Sequence, residues 1–413
     1  MKNKSAIRNP KSKIAIVGAG PGGASLAIRL AGKGFEVCLI EREKFPRQKL
    51  CGEFISPECL AHFESLDVLD EMVAVGGDWI SETVFYEPNG KSISVPSTWF
   101  AADMQGALSI SRAEMDLCLI EKARDLGVEV LEETAAIGLL FENDKVCGAR
   151  VRTKNGETKE ISAGLTIDAT GRANVLASFA KKSKVQGPKF KVKEIRNPRS
   201  AIRNRLVGFK THLENVDLDK GRCEIYSFPS GYGGLSFVEK NLANHCFLIK
   251  AETVKEFSGD ADKILENVIF QNKRARETMK NATPVYDWLA VSVDGFGAKD
   301  LNPAKDLFSV GDASAFIDPF TGSGILMALE SAEILAEIIV ENAGAPEKIA
   351  QCYRRAHRKK FQKRLLVCAW VRKAAFVPRL AKSLILVLNL SQTARQMLTR
   401  STRQTFSIRE NKS

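Results

Sequence analysis

Residues 13–43 read KIAIVGAGPGGASLAIRLAGKGFEVCLIERE, and they are the most informative part of the sequence for the fold. Its uninterrupted apolar run IAIVG is typical of a strand buried on both faces of a parallel sheet. Glycines at a G-x-G-x-x-G spacing follow (Gly18, Gly20, Gly23), then a segment with apolar residues at helical spacing and a second apolar strand that ends at Glu41. This order of strand, glycine turn, helix and strand predicts a Rossmann-type βαβ unit.

The glycine-rich turn has the chemistry of a phosphate-binding loop. Gly18 allows the tight turn, Gly20 lets the backbone approach a pyrophosphate, and Gly23 lets the helix pack closely on the strand. The start of the helix adds free N–H groups and the positive end of the helix dipole. Glu41, 23 positions after Gly18, is placed to hold ribose hydroxyls and argues against a 2′-phosphate there. We therefore predict an adenine dinucleotide, with a glycine loop that serves only packing as the alternative.

Composition indicates a folded protein of two interleaved domains. At 413 residues, with 44% hydrophobic and 27% charged residues, the chain is long for one compact core. The nine cysteines are scattered singly, which predicts reduced thiols and no metal site. The N-terminus MKNKSAIRNPKSK is basic but lacks the apolar region of a signal peptide, so a cytoplasmic protein is expected.

Basic charge is concentrated at the two ends of the chain. Residues 351–413 carry 16 Lys and Arg against one acid, Glu410, and residues 1–13 carry five basic residues and no acid. The body between them is net acidic and contains no nucleic-acid motif, which excludes a typical nucleic-acid binder. The basic ends indicate attraction to a membrane surface, with an unordered solvated tail as the alternative.

A second segment, DLFSVGDASAFIDPFTGSGILMALESAEILAE at 306–337, suits the other end of an extended ligand. A short apolar strand ends in Gly311 and Asp312, and the carboxylate of Asp312 would accept hydrogen bonds from polyol hydroxyls. An amphipathic helix then begins near Gly322 and Gly324, and its positive end would face a developing negative charge. The ligand is therefore expected to be held at two places far apart in the sequence.

Both segments resemble the flavoprotein class that includes p-hydroxybenzoate hydroxylase, and the resemblance implies FAD. In that class the Gly-Asp pair holds the ribityl chain, and the helix start that follows stabilises reduced, anionic flavin. The segment AGLTIDATGRANVLA at 163–177 resembles the place where the class returns to its FAD domain. In SISRAEMDLCLIEKARDLGVEV at 109–130, Ser111 and Glu114 form a capping box. Arg112 stands where the class has an arginine beside the cofactor, with a surface arginine as the alternative.

The segment FPRQKLCGEFISPECL at 45–60 resembles a stretch of geranylgeranyl-reductase-like and flavin-halogenase-like oxidoreductases that passes beside the isoalloxazine. The resemblance places five residues at the flavin or at the edge of the substrate cavity: Arg47, Lys49, Cys51, Gly52 and Glu53. Cys51 is a candidate nucleophile or acid, or else a small side chain packed under the ring. Glu53 is a candidate for donating or positioning a proton, or else a salt-bridge partner.

The motifs and the resemblance together predict the cofactor contacts. They are Gly18, Gly20, Pro21, Gly22, Gly23, Glu41, Arg42, Lys49, Cys51, Gly52, Arg112, Asp168, Gly171, Gly311, Asp312, Pro319, Gly322 and Gly324. Glu53 and Cys51 are the candidate catalytic residues, and Tyr232 and Phe228 the candidate substrate contacts.

The predicted fold class is α/β, with a Rossmann-type FAD-binding domain interleaved with an antiparallel-sheet substrate domain. The FAD-binding domain would comprise 13–80, 97–180 and 295–345, and the substrate domain 81–96 and 181–294. A basic disordered segment, 1–12, would precede them, and a basic helical region, 346–413, would follow. Short strand-like segments and the hairpin turn Pro88-Asn89-Gly90 predict the antiparallel sheet.

Two signature patterns of related enzymes are incomplete. Prenyl reductases usually show Pro-x-x-Tyr-x-Trp, whereas this chain keeps Pro229 and Tyr232 but has Gly234 at the position of the tryptophan. The Trp-x-Trp-x-x-Pro pattern of tryptophan halogenases is absent from the sequence. His212 and His245 are candidates for acid–base roles, although a lone histidine in a strand is more often structural.

Two basic segments have open interpretations. Residues 181–205 would steer an anionic substrate or the phosphate of NAD(P)H, or else form a solvated loop. Charged residues interrupt every apolar stretch of 346–413, so no membrane span is expected there. Helices with a basic side and an apolar side that includes Trp370 would lie at the bilayer interface, or else pack as a hairpin on the FAD domain.

The predicted function is FAD-dependent oxidation or reduction of a hydrophobic small molecule, such as a prenyl chain or a polyketide. Reduction of a carbon–carbon double bond with electrons from NAD(P)H is the first hypothesis. The nicotinamide would bind transiently, because no second G-x-G-x-x-G unit occurs. Hydroxylation by a monooxygenase and halogenation are alternatives. A non-catalytic lipid-escort protein of the same fold is a further alternative, against which the complete set of dinucleotide motifs argues.

Overall fold

The computed structural model describes residues 13–100, 106–185, 205–343, 345–375 and 396. The strands are β1 Ile14–Val17, β2 Val37–Ile40, β3 Phe54–Ile55, β4 Asp78–Ile80, β5 Glu82–Tyr86, β6 Ser92–Pro96, β7 Ala107–Ser109, β8 Glu129–Leu131, β9 Thr134–Glu142, β10 Lys145–Thr153, β11 Thr158–Ser162, β12 Leu165–Asp168, β13 Leu206–Glu214, β14 Arg222–Phe228, β15 Gly231–Phe237, β16 Ala243–Lys250, β17 Thr283–Pro284, β18 Leu289–Val293, β19 Gly297–Ala298, β20 Leu307–Ser309 and β21 Ala315–Phe316. The helices are α1 Pro21–Ala31, α2 Pro57–Ser65, α3 Leu69–Ala74, α4 Arg112–Asp125, α5 Val175–Val185, α6 Ala251–Glu256, α7 Ala261–Asn267, α8 Lys273–Met279, α9 Gly324–Glu341 and α10 Pro346–Ala375.

A five-stranded parallel sheet forms the first core, in the order β20-β12-β1-β2-β8. Every residue of β1 and β2 is buried, as the uninterrupted apolar run predicts for a strand covered on both faces. Helix α1 packs against α4 and α9, and their apolar residues join the buried cluster under the sheet. The predicted Rossmann-type α/β core is confirmed.

A second sheet has the order β17-β13-β16-β15-β14-β5-β6, with β18 paired to β13. Its pairs are antiparallel except β14 with β5, which run parallel. The predicted antiparallel sheet is therefore confirmed, with one parallel pair inside it. The hairpin β5–β6 reaches the sheet from far away in the sequence, and only a tight turn between neighbours forces an antiparallel pair.

The two faces of the second sheet contact different parts of the molecule. Phe209, Tyr226, Leu235 and Phe247 lie on one face and form a buried cluster with residues of α7 and α8. The residues that alternate with them on β14, β15 and β16 line the large cavity described below. This division follows from the period-two alternation of side chains along a strand.

Helix α10 packs on the FAD-binding part of the chain. The Tyr353 hydroxyl donates to the carbonyl oxygen of Ser309 at 2.9 Å, and buried Arg364 donates to the Glu330 carboxylate at 2.8 Å. One side of this helix thus packs on the protein and its other side is exposed, whereas most of the rest of the basic C-terminus lies outside the described residues, as do 1–12 and most of 181–205. Among the helices that the structure describes, none combines the length and apolarity that crossing a bilayer requires.

Two buried histidines predict acid sensitivity. His245 and His357 are fully or almost fully buried, and burial lowers the pKa of each to about 4. Between pH 6.5 and 5 the unfolded chain binds protons at these sites that the folded chain does not, so stability falls as the pH falls. We expect a loss of about 2 kcal/mol per histidine over this range. Urea unfolding of wild type and His357→Gln at both pH values measures it, and an unchanged pH dependence in the variant would contradict the assignment.

Candidate active site

A cavity of about 1360 Å³ lies between the two sheets. The loops that follow β1, β2, β12 and β20 line one side of it, and the second sheet lines the other. The carboxyl ends of parallel strands are where α/β folds bind their ligands, because helix N-termini and turn backbones meet there. The cavity is therefore the candidate active site.

The start of α1 fits a dinucleotide phosphate. A side chain on Gly18 or Gly23 would overlap neighbouring backbone, and Gly18 has a φ of +104°, so these two glycines are required by the turn itself. Gly20 differs, because it has an ordinary extended backbone and its missing Cβ would be 3.7 Å from the nearest described atom, Nη2 of Arg112. Packing does not require glycine at this position. The space in front of it is available to a ligand beside the positive end of α1.

A chain of buried ion pairs connects the two sides of this loop. Oε2 of Glu41 accepts hydrogen bonds from the Ala19 amide at 3.0 Å and from Arg47 at 3.2 Å. Arg47 also donates to Asp116 at 2.7 Å, and Asp116 holds the guanidinium of Arg112 through two hydrogen bonds. Among the described residues, the second oxygen of Glu41 accepts a hydrogen bond from the Glu43 amide alone, and so it retains acceptor capacity for ribose hydroxyls.

Asp116 was missed by the sequence interpretation, although its position four residues after Arg112 on a predicted helix was a usable signal. Burial lowers the pKa of Arg112, but Asp116 and Cys51 more than offset this, and its pKa is raised overall. The predicted capping box is half present: Ser111 caps the amide of Glu114, whereas the Ser111 amide donates to Glu239 in the turn between β15 and β16.

A second group of candidate cofactor contacts lies at Gly311 and Asp312. Gly311 has a φ of +59°, and its amide donates to Ser331 of α9 at 2.9 Å. Burial raises the pKa of Asp312, against the opposing influence of Arg172 and Lys299. Helix α9 begins at Gly324, as predicted, with no acidic residue in its first turn. Gly324 lines the cavity, and no acid of the helix's own first turn offsets its positive end.

The cavity brings together nearly all of the predicted cofactor contacts. Its lining includes Gly18, Gly20, Pro21, Gly22, Glu41, Arg42, Lys49, Cys51, Gly52, Arg112, Gly171, Gly311, Asp312, Pro319, Gly322 and Gly324. Gly23 and Asp168 do not belong to the lining. Asp168 is fully buried and accepts hydrogen bonds from Thr170 and from the Ala177 amide, so it shapes the turn after β12 rather than reaching a ligand.

The segment Cys51–Glu53 borders the cavity. No described atom lies within 4 Å of the side-chain position of Gly52, so its backbone faces open space. Glu53 is fully buried, forms an ion pair with Lys210, is hydrogen-bonded to Nε2 of His212 at 2.7 Å, and accepts from the Arg112 amide at 2.7 Å. Burial raises the pKa of Glu53, but its hydrogen bonds to His212 and Lys210 outweigh this and the pKa is lowered. An ionised carboxylate is an acceptor only, which favours the salt-bridge alternative for Glu53 over proton donation.

The two histidines differ in position. His212 is paired with Glu53 at 2.7 Å and is therefore not the isolated strand histidine that was expected. His245 lies on the far face of the second sheet beside Phe247, where its Nδ1 bonds the Gly234 carbonyl, and the structural interpretation applies to it.

The candidate substrate residues also differ. The Tyr232 hydroxyl donates to Asp318 at 2.6 Å, which joins the second sheet to the loop before α9; burial and Asp318 raise the pKa of Tyr232 well above its usual value. Phe228 borders the cavity, but its side chain is buried and packs edge-on against Phe247, in the apolar cluster on the face of the second sheet away from the cavity. Tyr232 is therefore the better placed of the two.

Small and apolar side chains form the sheet side of the cavity. A Cβ at Gly234 would approach Cδ1 of Ile225 at 2.9 Å, so the missing tryptophan could not be accommodated without moving Ile225. Burial raises the pKa values of Cys223 and Cys246 to about 12, so both thiols stay neutral there. On the opposite side, burial and the neighbouring Arg47 lower the pKa of Lys49.

The chain belongs to the FAD binding domain family, whose match spans residues 11–367. It is an FAD-dependent oxidoreductase, and the cradle at Gly20, the acceptor at Glu41 and the two helix N-termini fit this cofactor. When bound, FAD supplies electron transfer.

Relatives of two activities are similar to this chain. The digeranylgeranylglycerophospholipid reductase of Methanosarcina acetivorans is 26% identical over 361 residues, covering 84% of this chain and 80% of that protein. The tryptophan 2-halogenase of Chondromyces crocatus is 26% identical over 364 residues, covering 83% of this chain and 65% of that protein. A geranylgeranyl bacteriochlorophyll reductase-like protein from Thermoplasma acidophilum has the same fold, with a TM-score of 0.74 at 20% identity over 94% of this chain and 95% of that one.

Proposed function

We propose that this oxidoreductase reduces a carbon–carbon double bond of a lipophilic small molecule, with electrons that NAD(P)H delivers to FAD. The apolar sheet side of the cavity carries this proposal. Its lining includes Phe85, Ile93, Val95, Ile225, Leu248, Leu289, Val291 and Val293, which present no charge to a bound molecule. An apolar substrate of prenyl or polyketide type would gain free energy by leaving water for this surface.

Different residues around the cavity would bind the cofactor and orient the substrate. The start of α1 and Glu41 hold the pyrophosphate and ribose, while Asp312 and the start of α9 hold the other half of the cofactor. The sheet side orients the substrate over the segment Cys51–Glu53. The reductase relative from Methanosarcina acetivorans supports reduction, and the 45–60 segment, which resembles both reductases and halogenases, is compatible with it.

Oxygenation or halogenation is the second candidate, supported by the halogenase relative. Stopped-flow absorbance of the chemically reduced holoenzyme mixed with aerated buffer separates the two. A reductase should return directly to the oxidised spectrum, whereas a transient species distinct from both end states would favour the second candidate.

The electron donor and the substrate class are tested without oxygen. We expect NADH or NADPH to bleach the oxidised holoenzyme, and subsequent addition of geranylgeraniol, an allylic polyprenol, to restore its colour. Bleaching that geranylgeraniol does not reverse would contradict a prenyl substrate. An enzyme that neither nucleotide bleaches would contradict NAD(P)H as the donor.

We also propose that α10 contacts an anionic lipid surface, which would suit delivery of a lipophilic substrate. Residues 348–375 contain no acid, and the exposed side chains of α10 include Arg355, Arg358, Lys359, Lys363 and the apolar Leu366 and Trp370. Cations attract anionic lipids, and a tryptophan suits the bilayer interface.

Co-sedimentation with vesicles tests this contact. The protein should bind vesicles of phosphatidylcholine mixed with phosphatidylglycerol, and bind less at high salt and in Trp370→Ala. Equal binding to pure phosphatidylcholine vesicles would contradict an electrostatic contact.

A further inference from the structure

Three ionisable side chains meet behind the cavity. Glu53 belongs to the cavity lining, whereas Lys210 and His212 do not. Glu53 is 0%, Lys210 1% and His212 2% exposed. Burying ions is costly, and a buried ion pair is weak evidence for a purely stabilising role. Lys210 and His212 stand two residues apart on β13 and therefore point to the same face of the second sheet.

Three alternate residues of β13, Gly208, Lys210 and His212, lie on this face and contact the loop beside the cofactor site. A Cβ on Gly208 would overlap the side chain of Leu50, so the glycine makes room for that leucine. Lys210 donates to Gln48 at 2.9 Å and forms an ion pair with Glu53. Nε2 of His212 forms a hydrogen bond with the second carboxylate oxygen of Glu53. Three alternating positions of one strand thus hold the loop from residue 48 to residue 53.

Strand β16 of the same sheet and strand β7, which pairs with β3 and β4 in a separate small sheet, hold the backbone of this loop. Asn244 of β16 donates to the Cys51 carbonyl oxygen at 3.2 Å. The hydroxyl of Ser109 donates to the Glu53 carbonyl oxygen at 3.2 Å and is itself bonded to Ser236 of β15. The contacts of the second sheet therefore act on both the backbone and the side chain of the segment.

We infer that Lys210 and His212 are positioning residues, which fix the Cys51–Gly52–Glu53 segment against the flavin so that the substrate sheet sets the geometry of the reacting region. Neither side chain lines the cavity, and each acts through Glu53. The inference rests on the proposed function for its catalytic meaning, but the position of the segment can be measured without turnover.

Alkylation of Cys51 in the holoenzyme tests the inference. N-Ethylmaleimide is added, and mass spectrometry follows the rate at Cys51 relative to exposed Cys352. We expect Lys210→Met to raise this ratio about tenfold, because the freed segment opens more often. The visible spectrum of bound FAD should shift in the same variant. Lys210→Arg, which keeps the charge, should restore both readouts toward wild type.

Arg274→Met is the matched control. It breaks another ion pair of the same sheet, to fully buried Glu224, on the face away from the cavity. The inference is overturned if Lys210→Met and Arg274→Met change Cys51 alkylation equally, or if neither changes it while FAD stays bound. If Lys210→Met does not retain FAD, His212→Phe decides by the same two readouts. Failure of turnover with geranylgeraniol bears on the proposed function alone.

Discussion

Gly20→Val should leave the fold intact and weaken FAD binding roughly a hundredfold, because the new side chain would occupy ligand space at a cost of about 3 kcal/mol. Gly20 has an extended backbone that valine also adopts, and the nearest described atom to its missing Cβ is Nη2 of Arg112, 3.7 Å away, an ordinary van der Waals distance. The folded protein therefore has room for a Cβ at this position when FAD is absent. Fluorescence titration of the apoprotein with FAD measures the affinity.

Gly138→Val is the control for this prediction. Gly138 lies on β9, is not part of the cavity lining, and its missing Cβ would be 3.9 Å from the nearest described atom. This variant should bind FAD as wild type does. Full FAD affinity in Gly20→Val would show that the ligand does not approach this turn, and would remove the main physical argument for the cradle.

Glu53→Ala should lower the free energy of unfolding by about 3–5 kcal/mol, because it leaves the ammonium of Lys210 buried without its carboxylate. Lys210 would keep only the neutral Gln48 oxygen as a described partner. Urea unfolding of the apoprotein, followed by circular dichroism, measures the change at pH 7.

The chain offers a matched comparison at Glu133. Glu53 and Glu133 both have a positive φ, +54° and +50°, and both pair with a lysine. The partner of Glu133, Lys154, is 74% exposed, so solvent screens this pair and Glu133→Ala should destabilise the protein far less than Glu53→Ala. Equal losses in the two variants would mean that burial does not set the strength of the Glu53 pair.

The residues of the cofactor half of the site can be predicted from the sequence much better than those of the substrate half. The residues after β1 and β20 could be predicted, because their glycines and acids follow strands at spacings that phosphate and ribose dictate. Asp116 could have been found from its spacing to Arg112. Lys210 and His212 could not, since their partner Glu53 lies more than 150 residues away and nothing local reveals a pairing across two sheets. The parallel pairing of β5 with β14 is equally non-local.

The order of strands in the parallel sheet has a consequence for synthesis on the ribosome. Strand β1 needs β12 beside it, and β12 needs β20, so the sheet that begins at Ile14 is completed only at Ser309. At cellular translation rates that interval lasts roughly 15–60 s. Throughout it, the nascent βαβ unit exposes an unpaired apolar strand edge, the kind of surface that aggregates or recruits chaperones. Expression yield should therefore depend on chaperone supply more than the stability of the finished protein would suggest.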